Sequence, residues 1–283
     1  MSAPLLERTK AIVHWEHPDF HCKTLTHDEL LGLIAALLPV VEDFSLACSL
    51  CAAQKNRSTL AALHGSFADL ALLCHSSEED SSASTAGDAI RFIGHEMFVT
   101  WVASMIRHQC WDALATAYWL DEWGPLPRQH LSLVTSLLDP HRQVRKLSVM
   151  LRTDLLMERH GPGGPLAKAC PLEEFRGADL FLLLRHAAQS PTGLPWVPWS
   201  CALAEETPLL LVRAMSRQQA QIFADALGLT DTEQLKQTLK LAARRLNKFL
   251  NPAPDDDEDV LEQGPSRPSA PPWSKRLPAR PKR

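Results

Sequence analysis

The chain has 283 residues, of which 45% are hydrophobic and 22% charged, proportions typical of a globular protein with a sizeable core. Its formal net charge of -4 argues against binding nucleic acid over the whole surface, which needs concentrated Lys and Arg. No stretch resembles a signal peptide or reaches the roughly 20 apolar residues that cross a bilayer, so we expect a cytoplasmic protein without membrane contact.

The first helices are indicated by capping residues and apolar spacing. Thr26 and Glu29 form a capping box, which predicts a helix whose apolar stripe runs from Leu30 to Leu38. Pro39 should kink or end this helix. Residues 40–53 and 58–75 continue the helical pattern, and the polar segment 76–87 should be a mobile loop.

A long helix beginning near Asp88 and extending to Cys110 is apolar nearly all round. This pattern predicts a position at the centre of a helical bundle. Arg91, His95 and Glu96 fall within that helix, and buried polar groups need partners. We therefore expect these three side chains to bond to each other or to another helix.

The clearest internal boundary is the glycine- and proline-rich run Gly161–Pro165. After it come two short apolar runs, Ala178–Arg185 and Thr207–Arg213, each too short for an average helix and each ending in arginine. They predict a small sheet set into a mainly helical protein. Helices are predicted on either side of these features, over residues 111–123, 128–138, 141–160, 172–175, 217–227 and 232–250.

The composition changes after Asn251, where an acidic run, Asp255–Asp259, precedes an end rich in Pro, Ser, Lys and Arg. Such a segment cannot bury enough apolar surface to offset its ordering entropy, which predicts a disordered tail over 252–283. The predicted fold is mainly α: a helical bundle over 1–160, a small α/β region of two or more short strands packed on it over 161–251, and this tail.

Cys48 and Cys51 have the spacing of a metal or redox pair. Further candidate ligands for such a site are Cys22, Cys74 and His75. A second Cys-x-x-Cys, which would favour zinc, is absent from the sequence, and the pair falls in a predicted amphipathic helix. Buried thiols are therefore favoured, and no metal or cofactor is predicted.

Candidate binding residues cluster around the two apolar runs. Ligands of small sheets tend to meet the carboxyl ends of strands, where Arg185 and Arg213 would lie, and arginine suits phosphate or carboxylate recognition. Trp196 and Trp199 stand in a proline-rich loop, either as partner contacts or as core side chains. Asp179 opens the first run and is a further candidate.

Several stretches together resemble the helical C-terminal module that follows TIR-type and related effector domains in bacterial defence proteins. The similarity covers roughly residues 24–245 and is carried by Arg91–Phe98, Arg145–His160, Glu173–Asp179, Trp196–Ala204 and Phe223–Leu229. Only a couple of dozen residues precede the module. The resemblance implies a sensing or scaffolding protein whose effector is a separate chain, with no catalytic residue of its own.

The sequence thus favours a non-enzymatic cytoplasmic regulatory, sensing or scaffolding protein, as an accessory component of an antiviral defence system. Its expected partners are a separate effector protein and an anionic small ligand, rather than nucleic acid. The alternative is a metal-dependent hydrolase acting on nucleic acid through Asp179 and Glu205 or Glu206, since such enzymes gather acids at strand ends.

Overall fold

The computed structural model describes residues 2–13, 25–55, 86–116, 149–189, 196, 198–201, 210 and 216–250. Within them the backbone is mainly helical and contains no strand. The helices are α1 (Ser2–Val13), α2 (His27–Ala36), α3 (Leu38–Ala53), α4 (Ala86–Arg107), α5 (Trp111–Thr116), α6 (Val149–His160), α7 (Leu172–Gln189), α8 (Arg217–Ala226), α9 (Thr232–Leu250) and a 3₁₀ helix, Trp199–Cys201. They group into two compact units that divide between Leu172 and Glu173.

The start of α2 confirms the predicted capping box. The Thr26 hydroxyl accepts from the Glu29 amide at 3.3 Å, and the Glu29 carboxylate accepts from the Thr26 amide at 2.8 Å. Pro39 stands in the first turn of α3, where its missing N–H costs no helical hydrogen bond. The α2 and α3 axes differ by 40° at the break, so the prediction that this helix kinks or ends is confirmed.

The central helix of the first unit is α4, as its all-round apolar pattern predicted. Every residue from Asp88 to Met105 is buried, and both α2 and α3 pack against this helix. The face that α3 buries includes Val41, Phe44 and Cys48, at the spacing that brings side chains onto one side of a helix. Apolar burial around α4 is thus the main source of stability that these helices share.

The glycine-rich run after α6 forms a compact turn within the first unit. The Gly161 amide donates a hydrogen bond to the Met157 carbonyl at 2.8 Å, and the Leu166 amide donates one to the Arg159 carbonyl at 2.9 Å. A Cβ on Gly164 would stand 2.3 Å from the Glu158 carbonyl oxygen. Because that oxygen belongs to the backbone of α6, only glycine fits here.

The predicted α/β region is not supported by the structure. Ala178–Arg185 is not a strand but the middle of α7, which also absorbs the short helix predicted over 172–175. Leu and Ala favour helix and the run contains no β-branched residue. The run is continuously apolar because α7 is buried on all sides from Gly177 to Arg185, and not because it forms a strand.

The second predicted strand lies almost wholly outside the described residues. Only Leu210 is described within Thr207–Arg213, and its backbone is helical. Beyond it, α8 packs against α9, and Phe181 of α7 meets Phe223 of α8 edge to face, with ring centroids 5.6 Å apart. The predicted tail over 252–283 also falls outside the described residues.

Membrane-spanning potential is confined to one pair of helices. Within the described part of the chain, no single helix is long and apolar enough to cross a membrane. Only α2 and α3 taken together, with the bend between them, have the length and apolar composition of a membrane span.

Replacing Gly164 with alanine should destabilise the first unit. The added Cβ would overlap backbone oxygens that cannot move without unwinding α6, a cost of about 1–3 kcal/mol. Gly32→Ala is the matched control, because nothing lies within 4 Å of a Cβ there and alanine is the better helix former by up to about 1 kcal/mol. Urea denaturation followed by circular dichroism measures both, and equal stability of the two variants would contradict the overlap.

Candidate functional site

The predicted binding residues that the structure describes are all buried. The exposed fractions are 0% for Asp179, 2% for Trp199, 3% for Trp196 and 4% for Arg185. Arg213 lies outside the described residues. Because the four buried groups offer little surface to a ligand, their bonds inside the second unit decide what they contribute.

Asp179 organises a polar cluster inside the second unit. One carboxylate oxygen accepts from the Trp196 indole N–H at 2.7 Å. The other accepts from the Ser200 hydroxyl at 2.7 Å and from the Ser200 amide at 3.1 Å. Two predicted site residues, Asp179 and Trp196, are therefore brought together, but as partners of each other. The carboxylate ties α7 to the 3₁₀ helix and the chain just before it.

Arg176 and Cys201 form a second connection between the same segments. The Arg176 guanidinium donates to the Ser200 carbonyl at 3.0 Å, and the Cys201 thiol donates to the Arg176 carbonyl at 3.5 Å. Burial, followed by the nearby Asp179 carboxylate, raises the pKa of Cys201 far above its usual value. This thiol therefore stays protonated at neutral pH in the described arrangement.

Arg185 stabilises the carboxyl end of α8. Its guanidinium donates to the Ala226 carbonyl at 3.0 Å, where helix carbonyls without intrahelical partners carry partial negative charge. Gly228 follows with a φ of +73°, and a Cβ on it would stand 3.1 Å from the same guanidinium. Arg185, which was predicted to bind an anionic ligand, thus bonds to the end of α8. Its guanidinium occupies space that is open because residue 228 is glycine.

The first unit contains a buried ionic cluster centred on Glu96 of α4. The Arg159 guanidinium of α6 donates one hydrogen bond to each oxygen of the Glu96 carboxylate, at 2.7 Å and 2.8 Å. This bidentate geometry makes arginine–carboxylate pairs strong. His160 follows on α6, and its Nε2 lies 3.2 Å from the same carboxylate. The prediction that the polar residues of α4 bond to each other or to another helix is confirmed for Glu96.

The environment fixes the charges of this cluster. Burial alone would raise the pKa of Glu96, but the attraction of Arg159 and contacts with His160 outweigh it, so the pKa is lowered. Burial, assisted by the nearby Arg152, lowers the pKa of His95 to about 3. Glu96 is therefore an anion and His95 is neutral at physiological pH.

The His160 ring is fixed through its Nδ1, which donates to the Cys170 carbonyl at 2.7 Å. The ring thus lies between Glu96 and the turn after α6. One α4 turn earlier, Arg91 pairs with Asp88 at 3.1 Å. The contacts of Glu96, Arg159 and His160 connect α4, α6 and the following turn.

Sequence reasoning singled out the α4 members of this cluster but missed the α6 members. Arg152, Arg159 and His160 stand in register with the buried Leu156. Basic residues at apolar positions of a helix need buried acids, and that signal could have found them. The sequence predicted only a helix over 141–160, without a place for its basic side chains.

Cys48 and Cys51 lie on α3 and are both buried, as the thiol interpretation predicted. Burial raises the pKa of Cys48 well above its usual value, and the neighbouring Cys51 adds to the shift. Within the described residues, no group of three or more His, Cys, Asp or Glu side chains is placed to hold a metal ion. Glu205 and Glu206, the other acids of the hydrolase hypothesis, lie outside that part of the chain.

Three outward-facing basic residues of α9 are regularly spaced. Lys236, Lys240 and Arg244 are all exposed, and their spacing of four residues places them along one side of the helix. We call these three residues the α9 basic stripe. The opposite face packs into the second unit through Leu235, Thr238, Ala242 and Leu246.

Asp179→Asn should destabilise the second unit by about 1–3 kcal/mol. An amide has one oxygen and one NH₂ group, so its nitrogen would face a donor from either Trp196 or Ser200. Asp225→Asn on the exposed side of α8 is the control and should change stability by less than about 0.5 kcal/mol. Tryptophan fluorescence during urea unfolding measures both. Stabilisation of the wild type by Mg²⁺ that disappears in Asp179→Asn would contradict this structural role.

Stability of the first unit should fall as the pH drops below 6.5. Because the pKa of His95 is lowered from 6.5 to about 3, the unfolded chain binds a proton between these values that the folded chain does not. The free energy of unfolding should therefore fall by up to about 1.4 kcal/mol for each unit that the pH drops in this range. His95→Gln should weaken this dependence, whereas the exposed His27→Gln should not. Urea unfolding at about pH 7.5, 6.5 and 5.5 measures this pH dependence for both variants. The same pH dependence of stability in His95→Gln and His27→Gln would contradict the role assigned to His95.

Comparisons with known proteins add no relative from which a role could be transferred. No family model, no curated protein and no solved structure matches the chain. The similarity to the module behind TIR-type effector domains stays a prediction.

Proposed function

We propose that the chain is a non-enzymatic cytosolic regulatory or scaffolding protein that binds an acidic face of a separate effector protein. The observation that carries this proposal is the α9 basic stripe: Lys236, Lys240 and Arg244, all exposed and repeated once per turn. Charge recognition across an interface governs which partner docks and how fast it arrives.

The spacing of the stripe is costly for the helix itself. Like charges four residues apart destabilise a helix by a few tenths of a kcal/mol per pair. Glu233 bonds Lys236 at 2.9 Å and is also attracted to Lys240, but exposed pairs of this kind contribute little. In the described part of the chain, no ion pair joins Lys240 or Arg244 to an acidic side chain. An acidic partner surface would relieve this repulsion.

The interior charges support a scaffolding role in a different way. Asp179 accepts hydrogen bonds from both Trp196 and Ser200, Glu96 accepts two from the Arg159 guanidinium, and Arg185 caps a helix. Each of these groups holds separate segments of the chain together. A small anionic ligand stays a prediction that rests on Arg213. The hydrolase alternative would need Asp179 to exchange its bonds to Trp196 and Ser200 for a metal ion.

As an accessory component of a defence system, the protein would present the α9 basic stripe to an effector carried on another chain. Screening by salt would make this contact reversible, because exposed charges lose most of their attraction beyond about 8 Å at physiological ionic strength. Such reversibility suits a regulator, which has to release its partner as well as hold it.

Charge reversal on the stripe tests the proposal. The tagged chain is recovered from its native cells, and its co-purifying proteins are quantified for the wild type and for Lys240→Glu/Arg244→Glu. The double variant should retain less than about one tenth of the specific partner, since lost pairs and new repulsion together exceed about 1.4 kcal/mol. Lys168→Glu, an exposed reversal in the first unit, should retain it.

Two outcomes would overturn the proposal. One is a partner set that is the same in the wild type, the double variant and Lys168→Glu. The other is cleavage of RNA or DNA by the purified chain with Mg²⁺ or Mn²⁺, abolished in an Asp179→Asn variant whose circular dichroism spectrum is unchanged. The second outcome would favour the hydrolase alternative.

A further inference from the structure

The α9 basic stripe is followed closely in sequence by charges of the opposite sign. α9 ends at Leu250, and the acidic run Asp255–Asp259 begins after Asn251-Pro252-Ala253-Pro254. Proline cannot continue a helix interior. The chain therefore places a block of carboxylates a short connection away from the exposed cations of the same helix.

The connection is long enough for the acidic run to reach back to the stripe. At about 1.5 Å per helical residue, Arg244 lies about 9 Å and Lys240 about 15 Å from the end of α9. At about 3.3 Å per extended residue, Asp255 can lie up to about 17 Å from Leu250 and Asp257 up to about 23 Å. The carboxylates can therefore contact Arg244 and Lys240 without unwinding the helix.

The lengths of the two charged blocks also agree. Lys236 and Arg244 are about 12 Å apart along the helix axis, and the acidic run from Asp255 to Asp259 extends about 13 Å when fully stretched. We infer that the acidic run docks on the α9 basic stripe of the same chain and competes there with the acidic partner. This inference rests on the proposed function of the stripe.

The expected strength suits a competitor that a partner can displace. Each exposed ion pair contributes little by itself, but a short connection supplies an effective concentration in the millimolar range. A closed state that holds four fifths of the molecules would weaken partner binding on the order of fivefold. High salt would open the contact, because exposed charges are screened.

Zero-length carbodiimide crosslinking of the monomeric full chain tests the contact directly. Peptides that join Lys240 or Lys236 to a carboxylate of the acidic run should form at low salt and disappear at high salt. A variant with Asp255, Asp256, Asp257 and Asp259 changed to Asn and Glu258 changed to Gln should not form them. Crosslinks from the run only to Lys275 or Lys282, or only within dimers, would overturn the inference.

Binding of a poly-glutamate peptide separates this inference from the proposed function. The neutralised-run variant should bind the peptide about fivefold more tightly than the wild type, and Lys240→Glu/Arg244→Glu should lose binding. If the run variant binds like the wild type while the stripe variant loses binding, the docking inference fails and the stripe proposal stands. If the stripe variant binds like the wild type, the stripe proposal fails.

Discussion

Glu96 lies completely buried in the middle of the central helix α4, and its charge sets the condition that the first unit must meet. A carboxylate there is tolerated only if other groups replace its hydration, and breaking a buried pair typically costs about 3–5 kcal/mol. Arg159 donates two hydrogen bonds to this carboxylate, and the His160 ring lies beside it. The end of α6 and its glycine turn are therefore held where these two side chains meet α4.

How much of this arrangement the sequence predicts depends on the range of the interactions. The capping box of α2, the central place of α4 and the break at Pro39 are local signals, and they were predicted. The helix α7 was mistaken for a strand because an uninterrupted apolar run has no period, so burial on all sides of a helix resembles burial on both faces of a sheet. Asp179 and Arg185 could be selected as chemically unusual, but not assigned, because Ser200 and Ala226 are far along the chain.

Among the described residues, two sets of charges obey different physics. Those around Glu96 and Asp179 lie in a medium where partners are obligatory and salt has little effect. Those of the α9 basic stripe face water, where pairing is optional and sensitive to salt. The inner charges can hold a constant scaffold while the outer ones exchange partners, so that binding and stability can be tuned separately.

The contact between Arg185 and Gly228 joins two positions that neither local pattern nor hydrophobicity connects. Gly228 has a backbone conformation that other residues rarely adopt, and it also leaves room for the guanidinium that caps α8. A side chain at 228 would displace the cap, and a shorter residue at 185 would leave the Ala226 carbonyl without it. Any evolutionary path that replaces these two residues one after the other passes through a weakened chain, so the pair should be inherited together.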